Sequence, residues 1–326
     1  MRNPYYRGPA SDHFDGRRFF SPDHAPTDRS LAEVWRWRRT STPARWDAPP
    51  PVARAVPEAH PARPTVTLVG HATALVQLGG RNLLVDPVWS ERASPLRFAG
   101  PRRYNRPGIA LADLPPIDAV LLTHNHYDHL DLATLRALHA AHDPLLVTPL
   151  GNDVLVRRRI PAQRCVALDW WQAGVLGDLA ITVVPALHWS SRTPWDRRMA
   201  LWGGFHLRHG DFGLYIAGDT AYGNGWPFRQ LRQRLGAPDL ALLPIGAYEP
   251  RWFMQPQHMD AAQAVQAMLD CSARQALGVH WGTFQLTDEA RTAPRDLLQA
   301  TLLERAVPMQ RFQAMEAGQV WTPRAH

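Results

Sequence analysis

The alternation of apolar and polar positions divides the chain into a polar front and a patterned body. Up to about residue 60 the sequence is polar and rich in proline and arginine, with one amphipathic piece, Leu31-Ala-Glu-Val-Trp-Arg-Trp-Arg-Arg39. Leu31, Val34 and Trp35 recur there at helical spacing, while Trp37 falls off that face. This predicts a short helix packed over the main domain. The sharper alternative is a helix lying in a membrane surface, with tryptophan at the interface and arginine toward the headgroups.

From Thr65 onward, short β-branched runs separated by Gly, Asn and Asp predict a meander of strands at Thr65–Val69, Thr73–Leu78 and Asn82–Val85. Further strands are predicted at Ala119–Leu122, Leu145–Thr148, Ala180–Val184, Gly213–Ala217, Leu240–Leu243 and Ala276–Val279. Helices are predicted at Leu132–Ala141, Phe228–Leu235, Ala261–Leu269 and Asp296–Ala306. The layout is α/β or α+β, with sheets covered by helices. It suggests an N-terminal extension over residues 1–60 and one domain over 61–326.

Composition changes this picture little. A chain of 326 residues can bury a full core. The net charge of +7 would suit an anionic partner, but every basic residue is arginine and lysine is absent, which marks a compositional bias. No basic stripe interleaves with aromatics, so a nucleic-acid partner is not expected. Cys165 and Cys271 form neither a disulfide framework nor a metal pair, and both are expected in the core. The opening lacks a secretory apolar stretch, and no run approaches the roughly 18 apolar residues of a membrane span. The expected setting is cytoplasmic, with a peripheral position at the inner membrane surface as an extension of it.

The candidate chemistry sits immediately after the strands: Asp86-Pro87, Thr123-His124, His188-Trp189, Gly218-Asp219-Thr220, Gly246-Ala247-Tyr248 and His280-Trp281-Gly282. Strand ends gathered on one edge can build a site from distant segments. In the stretch THNHYDHLD, His124 and His126 lie two apart and project to the same side of an extended turn. Asp128 and His129 follow toward a neighbouring position. Neutral imidazoles beside a carboxylate are ligands that zinc favours. A polar turn capping a helix would explain Asp131 as the cap, but not three histidines and Asp128. His188, Asp219 and His280, each at a strand end, supply ligand types that the cluster lacks.

This pattern, HxHxDH followed by His, Asp and His, resembles the metallo-β-lactamase superfamily. The resemblance implies a four-layer αββα sandwich with a dinuclear site at one edge of two sheets. It assigns His124, His126 and His188 to one cation, Asp128, His129 and His280 to the other, and Asp219 to both. Longer stretches, among them GHATALVQLGGRNLLVDPVWSERASP, PPIDAVLLTHNHYDHLD and LLPIGAYEPRWFMQPQH, resemble N-acyl-phosphatidylethanolamine-hydrolysing phospholipase D and its bacterial relatives.

The activity this implies is phosphodiester hydrolysis of an N-acylated or related phospholipid, by hydroxide held between two zinc ions, with manganese or iron as alternative metals. Asp128 and Asp219 would orient the nucleophile. His258 would be a proton donor or phosphate contact, or else a surface histidine leading a helix. His71 and Asp86 would fix the ligands' orientation. Tyr127, Tyr248, Glu249, Arg251, Trp252 and Phe253 would line the mouth, receiving an acyl chain or packing a loop. A membrane-facing homodimer is part of the resemblance. The alternatives are a lactonase or other ester hydrolase on the same site, and a metal-dependent anion-binding protein without turnover.

Overall fold

The computed structural model describes residues 2–22, 24 and 27–323. Among them, fourteen strands form two seven-stranded sheets. The first sheet contains β1 (Thr65–Gly70), β2 (Thr73–Leu78), β3 (Arg81–Val85), β4 (Ala119–Leu121), β5 (Leu145–Pro149) and β6 (Cys165–Leu168), lying in that order. The second contains β7 (Ala173–Leu176), β8 (Leu179–Val184), β9 (Gly204–His209), β10 (Phe212–Ile216), β11 (Leu240–Pro244), β12 (Gln275–Val279) and β13 (Phe312–Ala314), again in chain order across the sheet. The last strand, β14 (Val320–Trp321), returns to the first sheet beside β1.

Strand composition explains why the sheets stack. In β4, Ala119 and Leu121 face the layer between the sheets, while Val120 and the following Leu122 face outward. In β11, Leu240 and Leu242 face inward, and Ala241 and Leu243 outward. Such strands are apolar on both faces, so each sheet needs cover on both sides.

The first sheet's outer face is covered by α2 (Leu132–His142) through Leu135 and Leu138, and by α3 (Asn152–Arg157) through Leu155 and Val156. The second is covered by α4 (Trp226–Leu235), α6 (Ala261–Asp270) and α7 (Ala293–Glu304), through Phe228, Val265, Met268, Leu298 and Leu302. The result is an αββα sandwich. Each large apolar side chain taken from water adds roughly 1.5–3 kcal/mol to the drive for this layering.

Strand direction positions the site. β3, β4, β5 and β6 pair in parallel, as do β10, β11, β12 and β13. β1 is antiparallel to β2 and β2 to β3, so β1 runs with β3. By the same count through β9, β8 runs with β10. The segments after β1, β3 and β4 therefore leave from the carboxyl ends of strands that run together in the first sheet, and those after β8, β10 and β12 from the carboxyl ends of strands that run together in the second.

Two expectations are corrected. Helix α1 (Leu31–Thr40) forms, with a capping box between Ser30 and Glu33, but it buries none of its residues. Leu31 and Trp35, expected to pack inward, are exposed. The contact to the body comes from Trp37, whose ring stacks on Phe253 at 4.9 Å. Arg29 reinforces this by donating to the carbonyls of Trp252 and Phe253. The second correction concerns Cys165, which is only half-buried on the edge strand β6, whereas Cys271 is fully buried.

The segment before α1 is more than a polar extension. Phe14 and Phe19 enter the core between the sheets. Asn3 donates to the Met199 carbonyl, Tyr5 to Asp196 and the Phe19 amide to the Arg198 carbonyl, which laces the segment to the loop after β8.

Candidate metal centre

The turn after β4 is formed by backbone bonds from the amides of His129 and Leu130 to the His126 carbonyl. Asp131 then caps α2, its carboxylate accepting from the amides of Ala133 and Thr134. This tight turn folds His124, His126, Asp128 and His129 back over the strand end. His71, Asp86 and His280 adopt positive φ values of 57°, 41° and 63° at the ends of β1, β3 and β12. Such backbone is costly for residues other than glycine and tends to mark functional sites.

Three imidazoles meet at the first position. His126 Nδ1 lies 2.9 Å from His124 Nε2 and 3.2 Å from His188 Nε2. Asp219 Oδ2 lies 3.9 Å from His124 Nε2 and 3.7 Å from His188 Nε2. At the neighbouring position, His129 Nε2 lies 3.2 Å from Asp219 Oδ2 and 3.5 Å from Asp128 Oδ2. His280 Nε2 lies 3.1 Å from Asp219 Oδ1 and 3.4 Å from Asp128 Oδ2. Asp219 thus faces both groups of donors.

These separations suit ligation. Donors about 2.0–2.1 Å from a tetrahedral ion stand roughly 3.3–3.4 Å apart, and the spacings here bracket that value. The buried atoms His129 Nε2, His280 Nε2 and Asp219 Oδ1 have no hydrogen-bond partner among the described residues. Buried polar atoms left bare are costly, and a cation held by these donors would satisfy them.

Neighbouring groups fix the donor atoms. Thr123 donates its amide and hydroxyl to Asp86, so its hydroxyl oxygen is free to accept from His124 Nδ1, and His124 turns Nε2 inward. His129 Nδ1 donates to Asp86 at 2.7 Å, and His188 Nδ1 to the Gln257 carbonyl at 2.9 Å. His71 Nε2 sits 3.0 Å from Asp128. Asp86 and His71 thus touch the residues they were expected to orient.

The electrostatics separate the histidines. Burial pushes His124 and His126 well below the ordinary imidazole range and His188 to about 4, leaving neutral rings with lone pairs to offer. Burial also opposes charging His129, but Asp219, Asp128 and Asp86 together raise it well above that range. His280 rises to about 9, because Asp219 and Asp128 outweigh its burial. The field that would hold protons on these two rings is one that would hold a cation in their place.

His258 is buried rather than a surface residue. Its Nδ1 lies 4.0 Å from Asp219 Oδ2 and has no partner among the described residues, and its ring is 5.0 Å from that of His188. The expected mouth residues divide. Arg251 donates to the His258 carbonyl and to Gln263, and Glu249 accepts from the Arg251 amide, so both hold the loop leading to His258. Tyr248 is buried, Phe253 is covered by Trp37, and Trp252 remains partly exposed. Tyr127 donates to the Arg192 carbonyl and lies under the Arg192 guanidinium at 3.6 Å.

Three further residues join the site. Trp189 packs edge-on against His126 at 4.3 Å and donates to Gln257, which also holds His188. Arg192 donates to the carbonyls of Asn125 and Leu130, tying the HxHxDH turn to the loop after β8. Trp189 was signalled by its place beside His188; the other two carry no local signal.

The description of the β-lactamase superfamily domain matches residues 81–281. The chain belongs to the metallo-β-lactamase superfamily of metal-dependent hydrolases. Within it, an uncharacterized protein of Mycobacterium tuberculosis is 36% identical over 304 residues, 92% of this chain and 80% of that protein. N-acyl-phosphatidylethanolamine-hydrolyzing phospholipase D 1 of Caenorhabditis elegans is 35% identical over 266 residues, 78% of this chain and 74% of that one. Among solved structures, the isothiocyanate hydrolase from Delia radicum gut bacteria shares the fold, with a TM-score of 0.64 at 22% identity over 80% of this chain and all of that one.

Proposed function

We propose that the protein is a dinuclear zinc phosphodiesterase of phospholipase D type, acting on N-acyl-phosphatidylethanolamine or a related phospholipid. The observation that carries this reading is Asp219, whose carboxylate stands between two groups of side chains that could each hold a cation. The likeness to the nematode phospholipase D supports the substrate class. His124, His126 and His188 would hold one cation, Asp128, His129 and His280 the other, with Asp219 common to both. Manganese or iron would suit the same donor set. Two such ions, when bound, supply Lewis acidity at a phosphoryl oxygen and make water a nucleophile near neutral pH.

The chain's own residues would set geometry and move protons. Asp128, oriented by His71, is placed to align the attacking water. His258, neutral through burial and with a free ring nitrogen beside Asp219, is placed to hydrogen-bond a phosphoryl or leaving oxygen. Attack of water on phosphorus and cleavage of its bond to the ethanolamine oxygen would give a phosphatidic acid and an N-acylethanolamine. Trp189 and Tyr127 would flank the approach.

A parallel assay of N-acyl-phosphatidylethanolamine, simple phosphodiesters and lactones tests the reading. Chelator-sensitive release of phosphatidic acid supports it. Turnover confined to lactones or esters would move the protein to the ester hydrolases, and metal uptake without any turnover would make it a binding protein.

A further inference from the structure

We propose that the outward stripe of α1, together with Trp252 and Trp195, is a docking face for a bilayer surface rich in anionic lipid. Resting on the phospholipid reading for its purpose, it names the surface through which that substrate would be met. Leu31 and Trp35, four residues apart on one side of the helix, are 89% and 61% exposed. Arg38 and Arg39 continue that side, with the Arg39 guanidinium 4.4 Å above the Trp35 ring. The opposite side carries Trp37, already stacked on Phe253. The helix's one acidic residue, Glu33, is occupied by Ser30 and Arg29, so the stripe keeps its positive charge.

Two further exposed tryptophans lie on segments tied to the one that leads into α1. Trp252 is 37% exposed beneath Arg36, whose guanidinium lies 4.6 Å from its ring. Trp195 is 79% exposed on the loop that follows His188. Arg197 and Arg198 of that loop both bind Asp28, and Arg29 holds the Trp252 and Phe253 carbonyls. Three exposed tryptophans are thereby fixed beside one another's segments. The same segments reach the metal centre through Gln257, which follows α5 (Arg251–Met254) and holds His188 and Trp189.

The combination fits a headgroup region. Tryptophan rings with a polar edge and arginines with apolar stems are the side chains that settle at a membrane interface. A symmetric contact between two copies would instead bring Arg36, Arg38 and Arg39 against their own kind. Charge complementarity therefore selects an anionic lipid surface.

The test is sedimentation of the full-length protein with vesicles of phosphatidylcholine, with and without phosphatidylglycerol. N-acyl-phosphatidylethanolamine is absent, so docking is scored apart from hydrolysis. The expected result is binding that requires phosphatidylglycerol and weakens with salt. Leu31→Ala/Trp35→Ala should weaken it by at least ~tenfold. Arg38→Gln/Arg39→Gln should weaken it about fivefold per arginine. All variants should keep full turnover of a soluble phosphodiester. Equal affinity for both vesicle types, or variants that bind like the parent, would overturn the proposal. A dimer in solution that these substitutions split without changing vesicle binding would assign the face to self-association instead. Docking without lipid hydrolysis would leave this face standing and remove only the substrate reading.

Discussion

His129 is fastened to Asp86 through a fully buried pair, Nδ1 to Oδ2 at 2.7 Å, which leaves Nε2 turned toward Asp128 and Asp219. Asp86 also accepts from both the amide and the hydroxyl of Thr123. Asp86→Asn keeps the size of the side chain and an acceptor, but loses the carboxylate that sets the ring's tautomer. Metal affinity should fall about 10–100-fold, as for other outer partners of ligating histidines. Competition against a chromophoric chelator measures it; an unchanged affinity would contradict the assigned role.

Removing metal should destabilise the fold as well as stop turnover. Burial would keep Asp128 and Asp219 protonated, yet the surrounding histidines hold both well below the carboxylate range. They therefore remain charged in the interior, where a bound cation would take over the compensation that His129 and His280 otherwise supply. At free metal about a thousandfold above the dissociation constant, linkage adds roughly 4 kcal/mol. Calorimetric scans with and without chelator should show the lower transition in chelator, reversed by zinc. Coincident transitions would count against a structural metal.

Arg192 joins the two loops that carry His124, His126 and His188. Lysine cannot reproduce its two bonds and its stacking on Tyr127. Arg192→Lys should lower kcat about 10–100-fold through misplacement of these donors, with a smaller change in thermal midpoint. Normal kcat in a stably folded variant would show that the loops keep their registry without it.

His13 provides a pH signature outside the metal centre. It lies between Asp12 and Asp169, at 2.6 and 2.7 Å, and stacks on Trp170. Burial lowers its pKa, but the hydrogen bonds to Asp169 and Asp12 outweigh this and raise it above 6.5. A raised folded pKa means that the stabilisation is fully present below the unfolded value and is lost as pH rises through the folded one. His13→Gln should therefore cost about 1.5–3 kcal/mol near pH 6 and clearly less near pH 9. Denaturant titrations at both pH values decide it; a pH-independent difference would mean that the imidazole is not charged.

The sandwich was legible where strands are long, β-branched and buried. β1, β2, β3, β5, β8, β11 and β12 all fall within a residue or so of the pattern. It failed where pairing rather than composition makes the strand. β14 has two residues and exists by registering with β1, and β7 is an edge strand with alternate residues exposed. β9 is a different case: Phe205 and Leu207 face the core and alternate with His206 and Arg208, a strand pattern that the sequence carries but that is absent from the predicted strands.

The candidate site was legible because buried histidines and aspartates need partners, so their crowding at strand ends carries chemical information. Gln257 acts through its carbonyl and Arg192 is one of many arginines, so neither role has a sequence signature. Helix α1 was misjudged for a related reason. Periodicity locates an apolar stripe but not what it faces, and the body is contacted by Trp37 instead.

Isothermal titration of the chelator-stripped protein with zinc tests the central claim most directly. Uptake of two ions per chain is predicted, with Asp219→Ala impairing both binding events and Asp128→Ala one. Uptake of a single ion, or of none, by the unsubstituted protein would contradict the dinuclear centre.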